Sequence, residues 1–162
     1  MTVTDELIEN SRKYAETFEK GDLPIPPAKK VAVVACMDAR LIPTRVLGLN
    51  EGDAHVIRNA GGVITDDEIR SLAISQHLLG TEEIILIHHT DCGMVTFTNE
   101  QFRAKLREAS GQEPSWDAEA FSDIDENVRE SIRRITDSPF VPHKNVRGFV
   151  FDVKDGSLRE VT

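Results

Sequence analysis

The sequence predicts an α/β fold: a mainly parallel central sheet of strand order near 2-1-3-4, flanking helices, a C-terminal antiparallel strand and an N-terminal helical arm. Three observations predict it. The apolar runs VAVVAC, AHVIRNA and EEIILIHH have strand length and are rich in β-branched residues, as strands buried in a sheet require. Segments of helical spacing, with helix-end signals, separate these runs. The resulting alternation of strand and helix implies parallel pairing through helical crossovers.

Each element has its own justification. From about Asp5 to Lys20, Leu7, Tyr14 and Phe18 fall near helical spacing, with Ile8 and Ala15 alongside. Acids open this segment, Lys20 lies in its last turn and Gly21 follows, as helix-end electrostatics and capping prefer. DLPIPPAKK is a Pro-rich connector that must be extended. VAVVAC (Val31–Cys36) is the first strand, and a short helix starts near Pro43 and stops at Gly48. AHVIRNA is the second strand, followed by the loop GGVI. Thr65 and Glu68 form a capping box for a helix through SLAISQHLL, closed by Gly80. EEIILIHH is the third strand. Thr98 and Gln101 cap a helix through Phe102 and Leu106, and GQEPSWDAEAFS is a surface stretch. Ile124, Val128, Ile132 and Ile135 space the next helix. VRGFVFDV, the turn KDGS and LREV close the chain as a hairpin.

With 162 residues, 1–162 is expected to be a single domain: 1–28 form the helical arm and connector, and 29–162 the α/β body. The formal net charge of −9 argues against a nucleic-acid or anionic-membrane surface, which needs clustered Lys and Arg. No apolar run approaches the roughly 18 residues of a membrane span. The first residues have no signal-peptide character, so a cytoplasmic location is expected. There are two cysteines, Cys36 and Cys92, each near the end of a strand-like run. In a chain without a secretion signal, metal binding or catalysis is more to be expected of them than a disulfide.

Ligands of doubly wound sheets bind beyond the carboxyl ends of the strands, where the strand order reverses. Cys36 ends the first strand and His88–His89 end the third, so neighbouring first and third strands would bring them together. In HHTDCGM, the spacing of His89 and Cys92 lets one turn aim both at an ion. His88 continues the Ile84–Leu86 face of the strand and is expected to pack inside, which favours His89. In CMDAR, alternate residues share a side, so Cys36, Asp38 and Arg40 would face one cavity. A phosphatase-type cysteine loop wants an Arg where Ile42 stands. Two thiolates and one imidazole suit Zn²⁺, and three protein ligands leave one position open, as catalytic zinc sites do. Asp38 is near enough to fill that position, and Arg40 can hold it away by a bidentate pair. Asp91 and the acids of TDDE read as caps and solvated surface. His55, His77 and His143 read as structural or exposed.

CMDAR with HTDCG resembles the β-class carbonic anhydrases, whose motif is Cys-x-Asp-x-Arg followed by His-x-x-Cys. RNAGG (Arg58–Gly62) also looks like that family's active-site loop. The short chain is closer to the archaeal and actinobacterial branch, whose relatives include hydrolases of carbonyl sulfide and carbon disulfide. The resemblance implies one zinc per chain on Cys36, His89 and Cys92, with Asp38 a fourth ligand in a closed form only. It implies Asp38 and Arg40 as the catalytic dyad, Ala60, Gly61 and Gly62 at the substrate pocket, and reversible hydration of CO2 to bicarbonate by zinc-bound hydroxide. The arm looks like the segment that wraps a partner subunit in this family, implying a homodimer or a dimer of dimers. Bicarbonate-regulated members carry a Trp just ahead of the first zinc cysteine. Here the only Trp is Trp116, so that regulation is not expected. The alternatives are hydrolysis of carbonyl sulfide or carbon disulfide on the same zinc site, and a non-catalytic zinc or redox-sensing module.

Overall fold

Five strands form one sheet in the computed structural model, which describes residues 1–162. They are β1 (Val31–Cys36), β2 (Ala54–Asn59), β3 (Glu83–His89), β4 (Asn145–Phe151) and β5 (Leu158–Val161), and their order is β2-β1-β3-β4-β5. The first four are parallel, and β5 runs antiparallel to β4. The expected order is therefore borne out. β1 sits inside the sheet, and all six of its residues are buried, which is why its sequence is uninterrupted apolar.

The helices are α1 (Val3–Glu16), α2 (Pro43–Val46), α3 (Asp66–His77), α4 (Asn99–Ser110) and α5 (Ile124–Asp137). One face of the sheet packs on α3 and α5, through Ala32, Val34, Leu72, Ile84, Leu86 and Ile135. The other face carries Val33, Ala35, Leu41, Ile87, Met94 and Phe151, with α2 and the segment after β3 closing over it. Gly148 of β4 has no room for a side chain because Val128 and Ile132 of α5 lie directly over it. Thus α5 rides close on the sheet.

Both capping boxes expected at Thr65–Glu68 and Thr98–Gln101 form. The first helix differs from expectation. It begins at Val3 rather than Asp5, because Thr2 is the cap: Asp5 N–H donates to Thr2 Oγ1, and Thr2 N–H donates to the Asp5 carboxylate at 2.7 Å. It ends at Glu16 rather than Lys20, with Thr17 taking the C-cap, so Gly21 does not close it. No residue of α1 is buried; Leu7, Ile8 and Tyr14 stay largely exposed. Tyr14 and Lys20 both reach Glu51, which anchors the arm at one end only.

Candidate metal centre

β1 and β3 are paired with Ala35 beside Ile87, so the carboxyl ends of both strands open at one place. Beyond Cys36 the chain turns tightly. Arg40 N–H donates to Asp38 Oδ1 at 2.8 Å, and Leu41 N–H donates to the Asp38 carbonyl at 3.1 Å. Arg58, at the end of β2, gathers this turn from outside. Its guanidinium donates to the carbonyls of Cys36, Asp38 and Leu41 at 2.8, 2.9 and 2.7 Å. Beyond β3, Thr90 is tied to β4: its N–H donates to the Phe151 carbonyl, and its hydroxyl accepts from Val153 N–H. Asp91 then turns the chain with φ 53°, in the left-handed region, and returns Cys92 toward the sheet.

The result is a buried group of Cys36, His89 and Cys92, whose ligand atoms lie within 4.8 Å of one another. His89 Nε2 is 3.1 Å from Cys36 Sγ. His89 Nδ1 lies 2.7 Å from the Thr90 carbonyl, which can only accept, so Nδ1 carries a proton and Nε2 is the nitrogen turned to the site, where a metal would take its lone pair. A tetrahedral zinc with its usual bond lengths spaces sulfur and nitrogen ligands by about 3.5–3.8 Å. The donor set fits that ion, and its atoms lie close enough together to share one.

The electrostatics lead to the same conclusion. The Cys36 thiol is pushed down, first by the hydrogen bond from Cys92 and then by His89 and the backbone N–H groups of Asp38 and Gly61, against the opposing effect of burial. The Cys92 thiol is pushed up by the Cys36 sulfur and by burial. Without a cation one sulfur must keep its proton to satisfy the other. A bound Zn²⁺ removes that conflict by stabilising two thiolates.

Asp38 Oδ2 lies 3.6 Å from His89 Nε2. The same carboxylate is gripped by Arg40, with Nε donating to Oδ1 at 3.0 Å and Nη2 to Oδ2 at 2.8 Å. This pair holds the Asp38 carboxyl far below the ordinary carboxylate range, so it is charged at neutral pH. Arg40 also reaches Asp91: Nη1 donates to Oδ2 at 2.9 Å and Nη2 to the Asp91 carbonyl at 3.0 Å. Asp91 stays solvated, its side chain 76% exposed, as expected from sequence, but it is also an ion-pair partner of the site rather than a cap. No local pattern could reveal this, because the two loops meet only through the β1–β3 pairing. The clamp by Arg58 was equally hidden, although a lone cation at a strand end was a usable signal.

A cavity of about 320 Å³ opens over the group, lined by Met37, Ala60, Gly61, Met94, Thr96 and Phe97 together with the three ligand residues, Asp38 and Gly93. Ala60 and Gly61 line it, and Gly62 lies behind. A side chain on Gly62 would meet Cys36 N and the Ile87 carbonyl. His88 takes no part in the ligand set. Its Nε2–H donates to Asn127 Oδ1 at 2.7 Å, and burial pushes its pKa down, keeping it neutral. His55 bonds Ser75, His77 reaches the Phe140 carbonyl, and His143 N–H donates to Gln76.

Residues 31–158 match the family model described as carbonic anhydrase. The chain is 60% identical, over 100% of its length and 99% of the other's, to β-carbonic anhydrase 1 of Mycobacterium tuberculosis. It is 34% identical to a carbon disulfide hydrolase of Acidithiobacillus thiooxidans, covering 93% of this chain and 85% of that one. The crystal structure of carbonic anhydrase from Streptococcus mutans superposes with a TM-score of 0.94 at 44% identity, covering 100% and 99% of the two chains.

Proposed function

The chain belongs to the β-carbonic anhydrase family, and from that membership we propose that it is a zinc lyase that interconverts CO2 and water with bicarbonate and a proton. Cys36, His89 and Cys92 would hold the zinc. Zinc bound by such a set acts as a Lewis acid that lowers the pKa of water toward neutrality. The chain's own residues supply the rest. Asp38, charged and facing the ligand group, accepts a hydrogen bond from the attacking oxygen and aims its lone pair at the carbon of CO2. Arg40 keeps Asp38 in that pose and out of the ligand set, and an Asp38 released from Arg40 would be near enough to supply a fourth ligand. Met37, Ala60, Met94 and Phe97 give the linear, apolar substrate an apolar wall. Gly61 lets the backbone approach closely beside it, while Gly62 packs behind, against Cys36 N and the Ile87 carbonyl.

One observation carries the reading: a buried Cys–His–Cys group with an arginine-held carboxylate 3.6 Å from its imidazole. Stopped-flow CO2 hydration by the zinc-loaded protein tests it, and a rate equal to that of buffer above pH 8 overturns it. A second reading, hydrolysis of carbonyl sulfide or carbon disulfide by the same residues, is favoured by the 34% identity to a carbon disulfide hydrolase. Sulfide release from either gas, at a rate comparable to CO2 hydration, would select it.

Residues 29–162 act in this reading as one catalytic body, and 1–28 as an arm. The exposed Leu7, Ile8, Tyr14 and Phe18 support an arm that packs on a second copy, giving a homodimer or a dimer of dimers. Sedimentation of the 18.1 kDa chain measures this directly. No helix is long and apolar enough to cross a membrane. Two thiols kept unpaired for a metal suit a reducing compartment, and the cytoplasm is the proposed location.

A further inference from the structure

We propose that Asp91 is a positioning residue for the reaction, fixing the Arg40 guanidinium so that Asp38 stays oriented at the edge of the metal group. The inference rests on the reading of Asp38 and Arg40 as a working pair. Arg40 is about half exposed (46%), and an exposed pair with a single carboxylate is weak and mobile. Here the guanidinium is gripped on two edges. Nε and Nη2 hold Asp38, while Nη1 holds the Asp91 carboxylate and Nη2 also reaches its carbonyl. A planar fork bound on two edges cannot rotate without breaking one of them.

The backbone of Asp91 is shaped for this grip. Its φ of 53° is uncommon outside glycine, and the turn presents both side chain and carbonyl to the same cation. Asp91 also lies between the ligands His89 and Cys92, so Arg40 links the two loops that carry the metal residues. The Asp91 side chain is itself largely exposed, so its hold on Arg40 comes from the paired contacts of carboxylate and carbonyl, which a helix cap would not need.

The test uses Asp91→Gly, which relieves the left-handed backbone and keeps the carbonyl, and Asp91→Asn, which keeps the shape without the charge. The zinc-loaded Asp91→Gly protein should retain full metal content and lose about tenfold in kcat/KM for CO2 hydration. Asp91→Asn should recover part of that loss. In an Arg40→Ala background Asp91→Gly should have no further effect, since it acts through Arg40. The visible spectrum of the cobalt-substituted protein should shift in Asp91→Gly in the same direction as in Arg40→Ala. Additive losses, a wild-type rate with a wild-type cobalt spectrum, or loss of zinc from both Asp91 variants would each overturn the proposal. Full activity in Asp38→Ala would overturn the pair and this inference together. Impaired Asp38→Ala beside an unaffected Asp91→Gly would overturn the role of Asp91 alone.

Discussion

His88 and Asn127 share a 2.7 Å hydrogen bond that ties the end of β3 to α5, while the adjoining His89 turns to the sulfur of Cys36 at 3.1 Å. Of two neighbouring histidines, one thus ties strand to helix and the other faces the group proposed to hold the metal. His88→Ala is expected to keep a full complement of zinc and lose about 2–3 kcal/mol of stability, from the cavity and the unpaired Asn127 amide. His89→Ala should do the reverse, shedding metal at modest cost to the apo fold. Elemental analysis beside urea unfolding separates the two; zinc loss from His88→Ala would reverse the assignment.

Cys36→Ser removes a thiolate and leaves a harder, protonated oxygen in its place. Even residues that only support a metal ligand are worth about 10–100-fold in affinity, so replacing a ligand should weaken zinc binding at least about 100-fold. Competition with a chromophoric chelator measures this. An affinity within threefold of wild type would remove Cys36 from the ligand set.

The Cys36–His89–Cys92 group was legible in the sequence because its cause is local. CMDAR and HTDCG each carry a strand end and a turn, and alternation along β3 separates His88 from His89 before any tertiary contact is known. The strand order followed from requiring those ends to meet. The grip of Asp91 on Arg40 and of Arg58 on the Cys36–Leu41 turn was not legible, since each bridges loops brought together only by sheet pairing. The start of α1 was missed for a different reason. A capping box at Thr2–Asp5 outweighed the apolar spacing used to place it.

Asp38→Ala leaves Cys36, His89 and Cys92 in place, so zinc content is expected to remain full. With no carboxylate to orient the attacking oxygen, CO2 hydration should fall about 100-fold or more, as for loss of a positioned acid–base group. The loss should lie mainly in kcat/KM, read by stopped flow with a pH indicator. Unchanged hydration would show that Arg40 and Asp38 are an ordinary ion pair.

Gly62→Ala tests the floor of the site. At φ 68° an alanine costs about 1–2 kcal/mol, and its Cβ would stand 2.9 Å from Cys36 N, where only backbone can move. The displaced group is the one that carries the first ligand, so zinc affinity should fall along with stability. Gly80→Ala, with φ 77° but open space around it, is the control. It should show a comparable backbone cost and unchanged metal binding. Equal zinc affinity in both variants would show that the strand end yields without moving Cys36.

Asp125 at the start of α5 accepts both arms of Arg159 on β5 at 2.9 Å, and this pairing lowers its pKa. A carboxyl depressed in the folded state adds stability above its unfolded pKa of about 3.9 and gives it up as pH falls through the folded value. Asp125→Asn should therefore be less stable than wild type at pH 7, by less than about 1 kcal/mol for so exposed a pair. The gap should begin to narrow as the pH falls below about 4, where the unfolded chain's carboxyl takes up its proton, and close below the depressed folded value. Urea midpoints at pH 7 and pH 3.5 compare the full effect with its decline. A gap that stays constant between them would mean that shape and hydrogen bonding, rather than charge, hold α5 to the hairpin.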